Sequence, residues 1–375
     1  MATKIIMKNK EGGDAMKKGW KRPLIAVGLA ATLLFVSSIS SLADSINLEN
    51  KCSMTIAAAN TEEYLADLED ADVVLDVYKV ASAAAVDGQD TYEYKVEGAY
   101  AKFASDLEGD ISEITSDDWK TLSNEIGEFT LMGENTIAKE VNGAPAGEII
   151  DDLDAGLYLV VARSEGLENY VAEVTDEEGN VSVVTIAQSK AYEYTYLPEL
   201  VSLPTKEPDA SGERKTNNPG DWVYDLTGAY MKPERTDLYG DLVIEKTLDE
   251  IESSSPVTFV FKITAVKRGE TVYSDVAGIY FTGAGTNSVT IEEKIPAGSK
   301  VTVEEIYAGA SYSPVGETTQ TTTILPISED GVATVSFENT YDGGLVPGYG
   351  IINTFDYVET TAGSAEWKLT QTPEQ

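Results

Sequence analysis

Residues 240–248 read GDLVIEKTL, residues 300–309 read KVTVEEIYAG, and residues 333–344 read ATVSFENTYDGG. Each segment alternates apolar and polar positions, the period of a strand with one buried face. On the apolar face Leu242 and Ile244 lead to Lys246, Val301 and Val303 lead to Glu305, and Val335 and Phe337 lead to Asn339. An amine, a carboxyl and a carboxamide therefore point where a core should be. Any one of them could be a polar side chain leaning to solvent at a strand end. Buried together they are costly unless they satisfy one another, because Lys and Glu are almost never fully buried unpaired.

Desolvation pushes a Lys toward its neutral amine and a Glu toward its protonated acid. A nucleophilic Lys246 would then lie beside Glu305, an acid able to hydrogen-bond and polarise the Asn339 carboxamide and to shuttle protons while ammonia leaves. The product is an amide crosslink from Lys246 to Asn339, tying the first strand of a domain to its last. The order of a Lys in the first strand, a Glu in VTVEE and an Asn in FENT resembles the CnaB-type immunoglobulin-like domains of Gram-positive surface pilins. That resemblance implies a self-formed intramolecular isopeptide bond, with Glu305 as its catalytic proton shuttle.

Working outward, strands are expected at DLVIEKTL, PVTFVFKITAV, GIYFTG, SVTIEEKI, KVTVEEIYAG and ATVSFENTY, with a turn at Pro296-Ala297-Gly298-Ser299. Short strands punctuated by Gly and Pro turns predict a β-sandwich over residues 240–342. Upstream, VVLDVYKVA places Val73, Leu75, Val77 and Lys79 on one strand face, and further strands are expected in GLYLVVARSEG, YVAEVTD and VSVVTIA. Trp119, Leu122 and Ile126 recur at helical spacing, which predicts a helical insertion between about residues 100 and 128. The expected fold is all-β: two immunoglobulin-like, CnaB-type β-sandwich domains in tandem, the first (44–235) with a helical insertion, the second spanning 240–342.

The segments AYEYTYLPELVSLPTKEP and DWVYDLTGAYMKPE resemble, respectively, the LVSLP step and the closing strand with its pilin motif in the N-terminal domains of those pilins. The motif is imperfect here, since Tyr230-Met231-Lys232-Pro233 has the lysine before the proline. The resemblance implies that Lys232 is the intersubunit acceptor, joined by a sortase to the preceding pilin subunit; it reads equally as a solvated lysine near a turn. It also places Lys79 where a second crosslink lysine would sit; no Asn aligns on the closing strand, where Asp225 is the one residue that could substitute as acceptor. No Glu stands at the matching catalytic position, and a strand-end lysine reaching solvent is the better account of Lys79.

The chain has 375 residues, with 27 Lys and Arg against 64 Asp and Glu, a net charge of −37. Such a balance argues against nucleic-acid binding and against docking on anionic membranes. Lys17, Lys18, Lys21 and Arg22, the apolar run 24–36 and Ser41-Leu42-Ala43 read as a signal peptide over residues 1–43. The protein is expected to be secreted to the cell surface, with no membrane span after cleavage. A single cysteine, Cys52, excludes an internal disulfide, and the absence of histidine excludes Ser-His-Asp and Cys-His catalysis and His-ligated zinc. Asp151, Asp152 and Asp154 lack EF-hand spacing and read as a solvated turn. No metal or cofactor is expected.

The tail, 343–375, ends WKLTQTPEQ and carries no LPXTG sorting motif. A truncated chain, a subunit ending a fibre and a non-covalently held subunit are all compatible with that. Three functions follow. The first is a structural pilus subunit assembling with other pilins. The second is an accessory or tip adhesin holding a host or surface ligand. A secreted carboxylate enzyme has only the abundance of Asp and Glu behind it; single-turnover self-crosslinking would not make the protein an enzyme.

Overall fold

A computed structural model describes residues 3–4, 21–22, 46–109, 114–176, 179–206, 222–251, 256–308, 311–327, 332–342, 351–359 and 365–373. It divides into two compact units, the first containing residues 1–189 and 193–236, the second 190–192 and 237–375. The expected signal peptide lies outside the described residues except for the two-residue strands Thr3–Lys4 and Lys21–Arg22, which pair with each other.

In unit 1 the strands include β1 (Cys52–Ala57), β2 (Val73–Ala85), β3 (Tyr92–Lys95), β4 (Val141–Pro145), β5 (Ile149–Leu153), β6 (Gly156–Ser164), β7 (Val171–Thr175), β8 (Val181–Gln188), β9 (Tyr192–Tyr196), β10 (Glu199–Leu203) and β11 (Asp225–Tyr230). One sheet runs β10-β6-β2-β3 with β4 also on β2, a second runs β11-β1-β5, and a third contains β9, β8 and β7 in that order. The VVLDVYKVA segment is buried on both faces rather than alternately, because β2 pairs centrally with β6 and β4 and both its faces are covered.

The predicted helical insertion opens with a 3₁₀ segment (Gly98–Phe103) and a one-turn helix (Ala104–Leu107) and continues as α1 (Ser116–Met132). Thr115 sets the start of α1: its hydroxyl accepts from the Asp118 N–H at 3.2 Å, and the Asp118 carboxylate accepts from the Thr115 N–H at 3.0 Å, a reciprocal cap. Leu122 and Ile126 pack with Tyr78, Val80, Leu157, Leu159 and Val161 of β2 and β6. The short helix Glu62–Leu68 was not foreseen; it begins at Thr61, whose hydroxyl accepts from the Tyr64 N–H.

Beneath the β2–β6 ladder Asp76 is fully buried, accepting from Lys139 Nζ at 2.7 Å, Arg163 Nε at 2.8 Å and the Gly143 N–H at 2.9 Å. Burial alone would raise its pKa, but Arg163 and Lys139 together hold it below the ordinary carboxyl value. A group with a lowered folded pKa contributes stability above its unfolded pKa, about 3.9, and that contribution is lost as pH falls through the folded value. Unit 1 is therefore expected to lose this contribution on acidification below about pH 4. Asp76→Ala, which strands two cations, should cost about 3–5 kcal/mol at neutral pH. Urea titrations of both chains at neutral and acid pH check this; a variant as stable as the parent at neutral pH would refute it.

Unit 2 contains β12 (Tyr239–Leu248), β13 (Val257–Lys267), β14 (Glu270–Phe281), β15 (Gly285–Pro296), β16 (Lys300–Tyr307), β17 (Tyr312–Val315), β18 (Thr319–Thr323) and β19 (Ala333–Tyr341). Two four-stranded sheets, β15-β12-β19-β17 and β14-β13-β16-β18, enclose one core that includes Leu242, Ile244, Phe259, Phe261, Ile263, Val301, Val303, Val335 and Phe337. This is the expected immunoglobulin-like sandwich, mostly antiparallel, in which the first strand β12 and the last strand β19 lie side by side in parallel. Gly240 lies near the start of β12, where a Cβ would sit 1.8 Å from the Leu325 carbonyl oxygen, so no larger residue fits. The segment IINTFDYVET enters β20 (Ile351–Glu359), which pairs antiparallel with β21 (Ala365–Pro373).

Candidate crosslinking site

The alternation of β12 buries positions 240, 242, 244, 246 and 248, and that of β19 buries 333, 335, 337 and 339. Their parallel register sets Lys246 opposite Phe337 and Leu248 opposite Asn339. Lys246 and Asn339 thus share the inner face of one sheet, displaced by two residues, a gap the long lysine stem can span. Glu305 comes from the facing sheet, where β16 buries Val301, Val303 and Glu305 in the same alternation.

The three side chains converge. Lys246 Nζ donates to Asn339 Oδ1 at 2.5 Å and lies 2.9 Å from Glu305 Oε1. Asn339 Nδ2 donates to the same Glu305 Oε1 at 3.0 Å. Neither the Lys246 nor the Asn339 side chain reaches solvent, and the Glu305 side chain is 1% exposed. Glu305 Oε2 is buried with no hydrogen-bond partner among the described residues, so the carboxyl meets the other two groups through Oε1 alone.

Aromatic rings close the site. Lys246 Nζ is 5.0 Å from the ring centroid of Phe259 and 6.0 Å from that of Phe261, and Phe261 packs on Phe337 with centroids 5.0 Å apart. Burial drives the Lys246 pKa below the ordinary lysine value, against the opposing pull of the Glu305 hydrogen bond and charge. The site therefore holds an amine biased toward its nucleophilic form beside a carboxamide, with one carboxyl oxygen in reach of both nitrogens. As oriented, Oε1 faces the amide nitrogen, which suits proton transfer; for Glu305 to polarise Oδ1, the carboxamide would have to turn about its last bond.

The other candidates stand apart from this chemistry. Lys79 Nζ is 3.3 Å from Asp154, while Asp225 accepts from the Ser53 hydroxyl at 2.8 Å, so each is engaged by a different partner. Asp152 and Asp154 both pair with Lys51, at 3.4 and 2.9 Å, which makes the acidic turn part of an ion-pair cluster. Lys232 is half-buried, its Nζ 5.7 Å from the Tyr230 ring centroid. It helps restrain the half-buried Glu199, whose carboxyl burial raises to about 7. Cys52 is buried, and burial pushes its thiol up to about 11. Sequence reasoning missed the aromatic shield, although the alternation of Phe259, Phe261 and Ile263 in PVTFVFKITAV carries that signal. It also missed the Asp76 cluster, whose partners lie 63 and 87 positions away.

A family described as a domain of unknown function (DUF5979) matches residues 242–342, the span that holds all three residues of the site. No curated protein matches the chain. Its structural neighbours include pilins. GBS52, the minor pilin of the Gram-positive pathogen Streptococcus agalactiae, is 14% identical over 77% of this chain and 96% of its own, with a TM-score of 0.20. A streptococcal ancillary pilin is 13% identical over 86% of this chain and 83% of its own, with a TM-score of 0.21. A point mutant of the shaft pilin SpaA of Lactobacillus rhamnosus GG is 10% identical over 79% of this chain and 99% of its own, with a TM-score of 0.18. Among the described residues no helix is long and apolar enough to cross a membrane.

Proposed function

We propose that this chain is an exported structural subunit of a surface pilus, whose unit 2 is locked by an isopeptide bond between Lys246 and Asn339. The observation that carries the crosslink is the single oxygen, Glu305 Oε1, within hydrogen-bonding distance of both the attacking and the leaving nitrogen. In this apolar enclosure a proton passes from the Lys246 ammonium to Glu305, leaving a neutral amine and a neutral acid. The amine attacks Asn339 Cγ while the Glu305 acid gives its proton to Nδ2, which departs as ammonia, and the resulting carboxylate takes a proton from the attacking nitrogen. One C–N bond forms, one breaks, and Glu305 ends as it began the attack, protonated. The three groups are already held at contact distance, which removes most of the entropic barrier to an amide exchange that is very slow in water.

The pilus assignment rests on the order of Lys246, Glu305 and Asn339 and on the LVSLP and Lys232 segments, which resemble pilin sequences. Other pilin subunits are the proposed partners, with Lys232 as the acceptor of a sortase-made link. Self-crosslinking happens once per molecule, so the chain is not proposed to be an enzyme.

Intact mass of the purified protein, followed by peptide mapping, tests the crosslink. A deficit of one ammonia carried by a branched peptide joining Lys246 and Asn339 is the expected result. A chain at its full calculated mass, less only the signal segment, would defeat the reading and leave a β-sandwich with an unreacted buried triad.

A further inference from the structure

The reaction proposed above needs groups from two different sheets, since Lys246 and Asn339 belong to one and Glu305 to the other. A displacement of about 1 Å between them can cost roughly a hundredfold in rate. Contacts that fix the edge strands of the two sheets beside the site therefore bear on the reaction.

Gln320 lies on β18, the outer strand of the sheet that carries Glu305, directly across from Val303, so its side chain shares the inner face of that sheet. Its neighbour in the facing sheet is β19. There β17 covers residues 338–341, and among the described residues no strand pairs with that edge of β19 further back toward Ala333. Gln320 meets that edge with its carboxamide: Nε2 donates to the Ser336 carbonyl, and Oε1 accepts from the Ser336 N–H at 3.3 Å. One side chain thus supplies the donor and acceptor of a missing strand.

The connection runs straight to the chemistry. The Glu305 N–H donates to the Thr318 carbonyl at 2.8 Å, two residues before Gln320, and Ser336 lies three residues before Asn339. On the opposite edge Asn287, paired in register with Lys246, donates from its side chain to the Tyr280 carbonyl at 2.7 Å and bridges β15 to β14. The geometry points to Gln320 as a positioning residue for the crosslinking reaction, a carboxamide clamp that sets the distance between Glu305 and Asn339. This inference rests on the isopeptide reading.

The test follows ammonia loss by intact mass in full-length chain made by cell-free synthesis and quenched at intervals, with folding followed in parallel by circular dichroism. Gln320→Leu keeps the bulk and removes both hydrogen bonds; its folded chain should crosslink roughly ten- to a hundredfold more slowly than wild type. Gln320→Glu should be slow at neutral pH, where a carboxylate faces the Ser336 carbonyl. Its rate relative to wild type should recover as pH falls through the ordinary Glu range, about 4.3, because the protonated acid regains a donor. Wild-type rates in both variants at every pH would overturn the clamp. If Gln320→Leu does not fold, a flat ratio near one for Gln320→Glu overturns it alone. Wild-type chain that never loses ammonia would overturn the isopeptide reading, and the clamp with it.

Discussion

Glu305→Ala should fold and yet keep the ammonia that the wild-type chain loses, so that its peptide map contains separate linear peptides for Lys246 and Asn339. The expectation of folding comes from position. Glu305 is the last buried residue of β16, and its removal leaves the Val301 and Val303 contacts and the β13–β16 ladder in place. The expectation of no reaction comes from the contacts. Oε1 is the one carboxyl oxygen touching both nitrogens, and without it the amine proton has no route to Nδ2 in a site that excludes water. Loss of a positioned acid–base group typically costs about 10²–10⁴ in rate, enough to move bond formation from complete to undetectable during expression. Alanine also leaves the Lys246 charge without its carboxyl partner, which burial then drives further toward the neutral amine. If this variant still crosslinks at the wild-type rate, a buried amine beside a carboxamide is sufficient and the role assigned to Glu305 is wrong.

A second large effect is thermal. The bond would join positions 93 apart in sequence, closing most of the β12–β19 sandwich into a loop. By the chain-entropy account of a crosslink, a loop of that size restricts the unfolded state by about 4–5 kcal/mol. In a domain of about 100 residues each kcal/mol moves the midpoint by about 4–8 °C, so the difference should be roughly 20 °C or more. Glu305→Gln is the variant for this comparison, because its carboxamide fills the same volume while carrying no proton between the nitrogens. Calorimetry of wild type against Glu305→Gln, with the mass of each recorded, should show the unit 2 transition falling by that amount and trypsin cutting the variant at lower temperature. Equal midpoints, with the bond present in one chain and absent in the other, would show that native-state strain cancels the gain. The parallel pairing of β12 with β19 gives the bond a mechanical meaning too, since tension entering at β12 and leaving at β19 would load a covalent bridge instead of peeling a ladder of hydrogen bonds.

Much of this site was legible in the sequence because side-chain direction in a strand is a local property. With a period of two, Leu242 and Ile244 commit Lys246 to the inside, Val301 and Val303 commit Glu305, and Val335 and Phe337 commit Asn339, whatever the rest of the chain does. Helical spacing placed Leu122 and Ile126 on a buried face for the same reason. Lys79 shows the limit of that reasoning. Alternation put it on the face of Val73, Leu75 and Val77, but its partner Asp154 comes from the turn before β6, which no local pattern names.

What the tertiary structure alone decided is that the three inward residues meet. Strand order, the parallel register that offsets Lys246 from Asn339 by two residues, and the facing of β16 across the core are all non-local pairings. The same holds for the Asp76 cluster and for the reach of Gln320 to Ser336, which join residues from separate strands and loops. A sequence specifies which face each side chain takes through its own neighbours. Only the packed sheets, by burying those faces against one another, bring an amine, an acid and a carboxamide to one point and exclude the water that would otherwise separate them.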